Sequence, residues 1–171
     1  MSAIAAVLQL LVAAAFVSIP VVRARFGPAA KAAADAELTR QGVRPAVLEE
    51  NGLRFDAGGH ETWAPASVAG VMVGVAVLNF MASAWGQTLT WVFSSLVLAL
   101  NALILHSQLT AAKSVQAAFR RKGDAELARI DVPAFLKAAE GAFPAWVTIH
   151  QNIRHTVAFA GSALALILVS L

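Results

Sequence analysis

Three histidines, His106, His150 and His155, stand near the ends of long apolar stretches, and a fourth, His60, precedes another. Imidazole is the commonest metal-binding side chain and titrates near neutrality, so these residues raise the prospect of a haem, metal or quinone site. Two ligands on one helix face are normally three or four residues apart, as in H-E-x-x-H. His150 and His155 are five apart, which turns them about 140° from one another around a helix axis. The chain has no cysteine, which removes thiolate ligands, disulfides and cysteine nucleophiles. No Asp or Glu lies inside the apolar stretches, so a carboxylate relay has no residues to run on. The leading expectation is that the histidines are hydrogen-bonded polar residues, with no cofactor and no metal. The alternative is a cofactor, haem foremost, bound by His106 and His155 with His150 beside them.

Other reaction chemistry has less to stand on. There is no glycine-rich phosphate loop, no G-x-S-x-G elbow and no acid pair of the glycosidase kind. No catalytic residue is assigned, and the chain reads as a non-enzyme.

Polar and small residues do recur at regular spacing. Ser94, Asn101 and Gln108 follow one another every seven residues, with Thr90 on the same side, and Thr148, His155 and Ser162 repeat that interval. Ser67, Gly70 and Gly74 mark one face of an earlier stretch, and Asn79, Ser83 and Gly86 the opposite face. Small and hydroxyl residues let apolar helices approach and bond one another. Gly70, Gly74, Ser94, Asn101, Gln108 and Ser162 are therefore expected to form a packing seam. The basic run Arg120-Arg121-Lys122 is expected to meet anionic lipid head groups.

The elements that must position these residues follow from charge. Residues 2–22, 62–112 and 155–171 carry no charged side chain, and only 13% of the chain is charged against 58% hydrophobic, with a mean hydropathy of +0.69. A membrane span needs about 20 apolar residues. The long neutral stretch is twice that and contains Trp85-Gly86-Gln87-Thr88, a natural break for a helical hairpin. The sequence thus predicts an all-α membrane protein, a bundle of four transmembrane helices at about residues 2–22, 65–85, 88–110 and 149–171. The connecting loops, about 23–64 and 111–148, hold nearly all the charge. The thirteen Lys and Arg residues fall between Arg23 and Arg154, so the positive-inside rule makes the loops cytoplasmic and the topology N-out/C-out. Trp63, Trp85, Trp91 and Trp146 sit near the stretch ends, where amphipathic rings favour a membrane–water boundary. The first stretch lacks the charged start and small-x-small site of a cleaved signal and reads as an anchor.

Within the loops, residues 28–41 form an alanine-rich helix that Gly42 stops, and Pro45 opens a short helix ending at Asn51-Gly52. Gly58-Gly59 makes a turn. Asp131 is the expected N-cap of an amphipathic helix over 132–142, lying along the inner membrane surface. Little else suggests a separate domain, so the chain reads as a single membrane domain over 1–171.

A net charge of +3, without a concentrated basic face, gives no case for nucleic acid. The alanine-rich, arginine-over-lysine composition suggests a bacterium, hence a multi-pass protein of the bacterial plasma (inner) membrane. In length and span number the chain resembles small four-span bacterial families such as the DoxX-like and anthrone-oxygenase-like proteins, with no motif from which to carry over a residue. The expected role is a small accessory or interaction subunit. Its partners are the lipid bilayer and another membrane or cytoplasmic protein, or a second copy. The alternatives are a redox protein or enzyme built on the histidines, and a carrier of a lipid-like ligand.

Overall fold

The computed structural model describes residues 2–53 and 59–171, the side chains of residues 59–61 excepted. The expected turn at Gly58-Gly59 and the side chain of His60 lie outside the described residues. Every regular element among the described residues is helical: α1 (Ser2–Arg40), α2 (Ala46–Glu50), α3 (Gly59–Phe80), α4 (Ala84–Leu109), α5 (Ala111–Lys122), a 3-10 turn (Leu127–Arg129), α6 (Val132–Gly141) and α7 (Ala145–Ser170). α1, α4, α7 and the Thr62–Phe80 part of α3 are long and apolar enough to cross a membrane.

The chain forms two compact units. The apolar unit comprises residues 1–21, 59–106 and 148–171, and the charged unit residues 22–58 and 107–147.

In the apolar unit, packing is made by small residues at points of close approach. Val12, Ala13 and Phe16 of α1 cluster with Ala69 and Met72 of α3, Val97 of α4 and Ala158 of α7, and Ala5 meets Ala165 and Val169. Gly161 is tight against α1, since a Cβ there would lie 3.0 Å from Val12 Cγ2. The helical hairpin turns earlier than the sequence suggests. α3 ends at Phe80, and Met81-Ala82-Ser83 makes the turn. The Ser83 amide donates to the Leu78 carbonyl (3.0 Å) and the Ala82 amide to that of Asn79 (3.1 Å). That bond pair is a Schellman cap, with Ala82 at φ +52° where glycine is usual. Gly86 lies in the first turn of α4, pressed on the end of α3. A Cβ there would sit 2.8 Å from Asn79 Oδ1 and 3.0 Å from the Asn79 amide nitrogen, so the glycine serves close approach and not the turn.

The charged unit has a core of its own. Ala34 and Leu38 of α1, Val43, Val47, Leu48, Phe119, Leu127, Ile130, and Val132, Phe135 and Ala139 of α6 are buried together. α1 runs on through Pro28 to Arg40 as one helix, so the expected separate helix over 28–41 is its continuation. Gly42 stops it at φ +71°, with the Val43 amide donating to the Leu38 carbonyl. Asp131 caps α6 by accepting from the Ala134 amide at 3.1 Å. The apolar face of α6 is spent on this core, which corrects the expectation that it lies on a membrane surface.

Candidate functional site

Eight polar or charged residues are buried among the described residues: Gln9, Asn79, Thr90, Ser94, Asn101, Arg154, His155 and Ser162. All belong to the apolar unit. A buried polar group costs free energy unless bonded, so each bond is accountable.

Near the hairpin, Gln9, Asn79 and Thr90 close a triad. Gln9 Nε2 donates to Thr90 Oγ1 at 2.8 Å. Asn79 Nδ2 donates to Gln9 Oε1 at 3.0 Å and to Thr90 Oγ1 at 2.8 Å, and the Thr90 hydroxyl donates to the Gly86 carbonyl at 2.7 Å. The triad ties α1, α3 and α4 together, is neutral, and has no side-chain atom among the fully buried ones without a hydrogen-bond partner.

The second cluster joins α4 to α7. His155 Nδ1 lies 2.9 Å from Asn101 Oδ1, and Arg154 Nη2 lies 3.1 Å from His155 Nε2. Asn101 Nδ2 faces the His155 carbonyl at 3.5 Å. A guanidinium only donates, so in the contact with Arg154 it is His155 Nε2 that accepts. Arg154 is 7% exposed, and its Nε is buried without a hydrogen-bond partner.

Two contacts set the α4–α7 register: Asn101 with His155, and Gln87 Nε2 donating to the Val169 carbonyl. The helices are antiparallel, and stepping seven residues from either contact brings Ser94 level with Ser162. Both are buried, with hydroxyls that have no hydrogen-bond partner. The sevenfold interval is thus a helix–helix register running from Gln87 to Asn101. Gln108 and Thr148, expected in the same seams, are exposed. Gly70 and Gly74, expected to pack, are exposed, and a Cβ at either would meet nothing within 4 Å. That correction has a physical reason: the opposite face of α3, with Met72, Val75, Ala76 and Asn79, is the buried one.

Of the cofactor candidates, only His155 is buried; His106 is exposed and His150 half-buried, each with contacts of its own. Iron ligated at Nε2 of His155 would displace Arg154 and put a guanidinium beside the metal, and ligation at Nδ1 would displace Asn101. No group of three or more His, Asp or Glu among the described residues is placed to hold a metal.

The charged unit carries ion pairs outside its core. Arg44 forks between Glu126 (Nη2 to Oε2, 2.9 Å) and Glu50 (Nη2 to Oε2, 3.0 Å), while Gln41 Oε1 accepts from the Asp131 amide at 2.8 Å. The Arg40 guanidinium, with Gln41 assisting, holds Glu37 down at about 2. Arg44 likewise lowers Glu126. Arg120, Arg121 and Lys122 form the exposed last turn of α5, where cations complement the helix dipole.

Arg154, Gln9 and the Ser94–Ser162 level are what sequence reasoning missed. Arg154 resembled the last charge of a loop, and a lone amide in an apolar run has no period to reveal it. No family model, curated protein sequence or solved structure matches this chain.

Proposed function

We propose that the chain is a four-span plasma-membrane protein, N-out and C-out, whose charged unit is a cytoplasmic body that docks a partner protein. It is an accessory or interaction subunit and not an enzyme. The observation that supports this is segregation. Of the thirteen Lys and Arg residues, all but Arg154 belong to the charged unit, and that unit is folded on a core of eleven buried residues. A mere connection between spans needs no core. A folded body on one membrane face, with exposed Arg120, Arg121, Lys122 and Lys137, suits protein recognition. The ring of His155, bonded on both nitrogens, weakens the redox alternative.

Two measurements test the reading. Reporter fusions at Leu171 and Gln87 are expected outside, and fusions at Gly42 and Gly123 inside; a cytoplasmic C-terminus overturns the topology. A photo-crosslinking side chain at exposed positions of α5 and α6, such as Lys113 or Lys137, is expected to give a discrete protein adduct in intact cells. A Soret band or stoichiometric metal in the purified protein, lost on His155→Ala, supports the redox alternative instead.

A further inference from the structure

Arg154 is the only Lys, Arg, Asp or Glu among the described side chains of the apolar unit. It is 7% exposed and faces no carboxylate among the described residues; its Nη2 bonds His155, and its Nε has no partner. A guanidinium carries five N–H donors in a planar fork matched to oxyanions. Burying that charge in an apolar setting costs several kcal/mol unless an anion accompanies it. His155 supplies an acceptor. Among the described residues no anion balances the cation, and its neighbours are braced: Asn101 fixes the imidazole, and the imidazole fixes one arm of the fork.

Depth indicates where the anion comes from. A span of about 20 residues counted back from Ser170 begins near residue 151. Arg154 then sits roughly one turn inside the inner boundary, where a long side chain reaches head-group level. From these observations we infer that Arg154, positioned by His155 and Asn101, binds an oxyanion, namely the phosphate of an anionic phospholipid of the inner leaflet. The site is distinct from the exposed Arg120-Arg121-Lys122 turn. A guanidinium forked onto a phosphate makes charge-assisted bonds of the strong kind, and burial shields them from salt. The inference rests on the membrane reading given above.

The test uses the full chain in neutral detergent, titrated with mixed micelles containing phosphatidylglycerol or phosphatidylcholine. Salt is held at about 0.5 M, where the Debye length falls to roughly 4 Å and exposed cations lose their pull. The anionic lipid is expected to bind at least about tenfold more tightly, as a bond to a charged group implies. Arg154→Gln is expected to abolish the preference, and the triple Ala variant of Arg120, Arg121 and Lys122 to retain it. Arg154→Lys, which keeps the charge but not the fork, is expected to lose several-fold and serves if Arg154→Gln does not fold. Equal binding of the two lipids by wild type overturns the inference. So does retention of the preference in Arg154→Gln. Inorganic phosphate that competes at millimolar concentration for the same arginine overturns the lipid as source. A wild type without lipid preference but with the four-span fusion pattern leaves the proposed function standing; a cytoplasmic C-terminus defeats the reading beneath both.

Discussion

The charged unit keeps Leu38, Val47, Leu127 and Val132 at 1% exposure or less, while Arg44 and Glu50 stand outside. In the apolar unit the arrangement is inverted: Gln9, Thr90, Ser94 and Ser162 are fully buried, and Trp63, Leu103 and Ile149 are exposed. Each pattern is what a particular surrounding rewards. Water drives apolar side chains inward, whereas lipid offers no such drive between helices and leaves small residues and interhelical hydrogen bonds to hold them. On the membrane reading proposed above, the two units are stabilised by different terms, and substitutions of matched size should act on them unequally.

The largest expected effect is in the charged unit. Leu38→Ala removes a fully buried side chain from its core, a change that costs about 3 kcal/mol where water is the reference. Trp146 reports on this unit, since its ring packs edge-on against Phe26 at 5.7 Å. In a chain with the other three tryptophans replaced by Phe, thermal unfolding followed at Trp146 should move to lower temperature. In the companion chain retaining Trp91, the transition of the apolar unit should hold. A shift of equal size in both would mean that the units unfold as one and would break the comparison.

The intermediate effect is in the apolar unit. Asn79→Leu removes both amide donations and strands Gln9 Oε1. Polar contacts between membrane helices average about 0.6 kcal/mol, and an orphaned acceptor adds to that, so the expected loss is about 1–2 kcal/mol. The check is the Trp91 transition in detergent. An unchanged midpoint would show the triad to be dispensable and hairpin packing sufficient.

How much of this was legible depends on whether a signal is local. The four apolar stretches, the Gly42 stop and the Asp131 cap are written in adjacent residues: the stop and the cap are found where expected, and the stretches are helices, with the junction between the second and third shifted toward the N-terminus. The hairpin turn was misplaced because its left-handed position is held by Ala82, while the nearby Gly86 looks like a turn and is a contact. The core of the charged unit was missed because Val43, Val47, Leu127 and Ile130 are scattered over short elements with no period. The sevenfold interval announced a register but not its partner. Asn101 could be seen to face something, and only three dimensions bring His155 to it, with Arg154 alongside.

The smallest expected effect is the sharpest check on the corrected face of α3. Gly70 and Gly74 are spaced as in helix pairs that touch through glycine, and on sequence alone Gly70→Leu should block such an approach and destabilise the bundle. A Cβ at either position meets open space, and the neighbours that share the face, Val73 and Val77, are themselves exposed. A leucine there points away from the buried face of α3, and its better helix propensity offsets part of any loss, by up to about 1 kcal/mol relative to glycine. Gly70→Leu and Gly74→Leu should therefore leave the Trp91 midpoint unchanged or slightly raised. Size-exclusion chromatography with light scattering in detergent supplies the second readout. If the midpoint falls and a dimer of the wild type becomes a monomer in both variants, the small face belongs to an interface between copies. If the midpoint falls with the mass unchanged, α3 packs the other way round, and the assignment of its buried face to Met72, Ala76 and Asn79 is wrong.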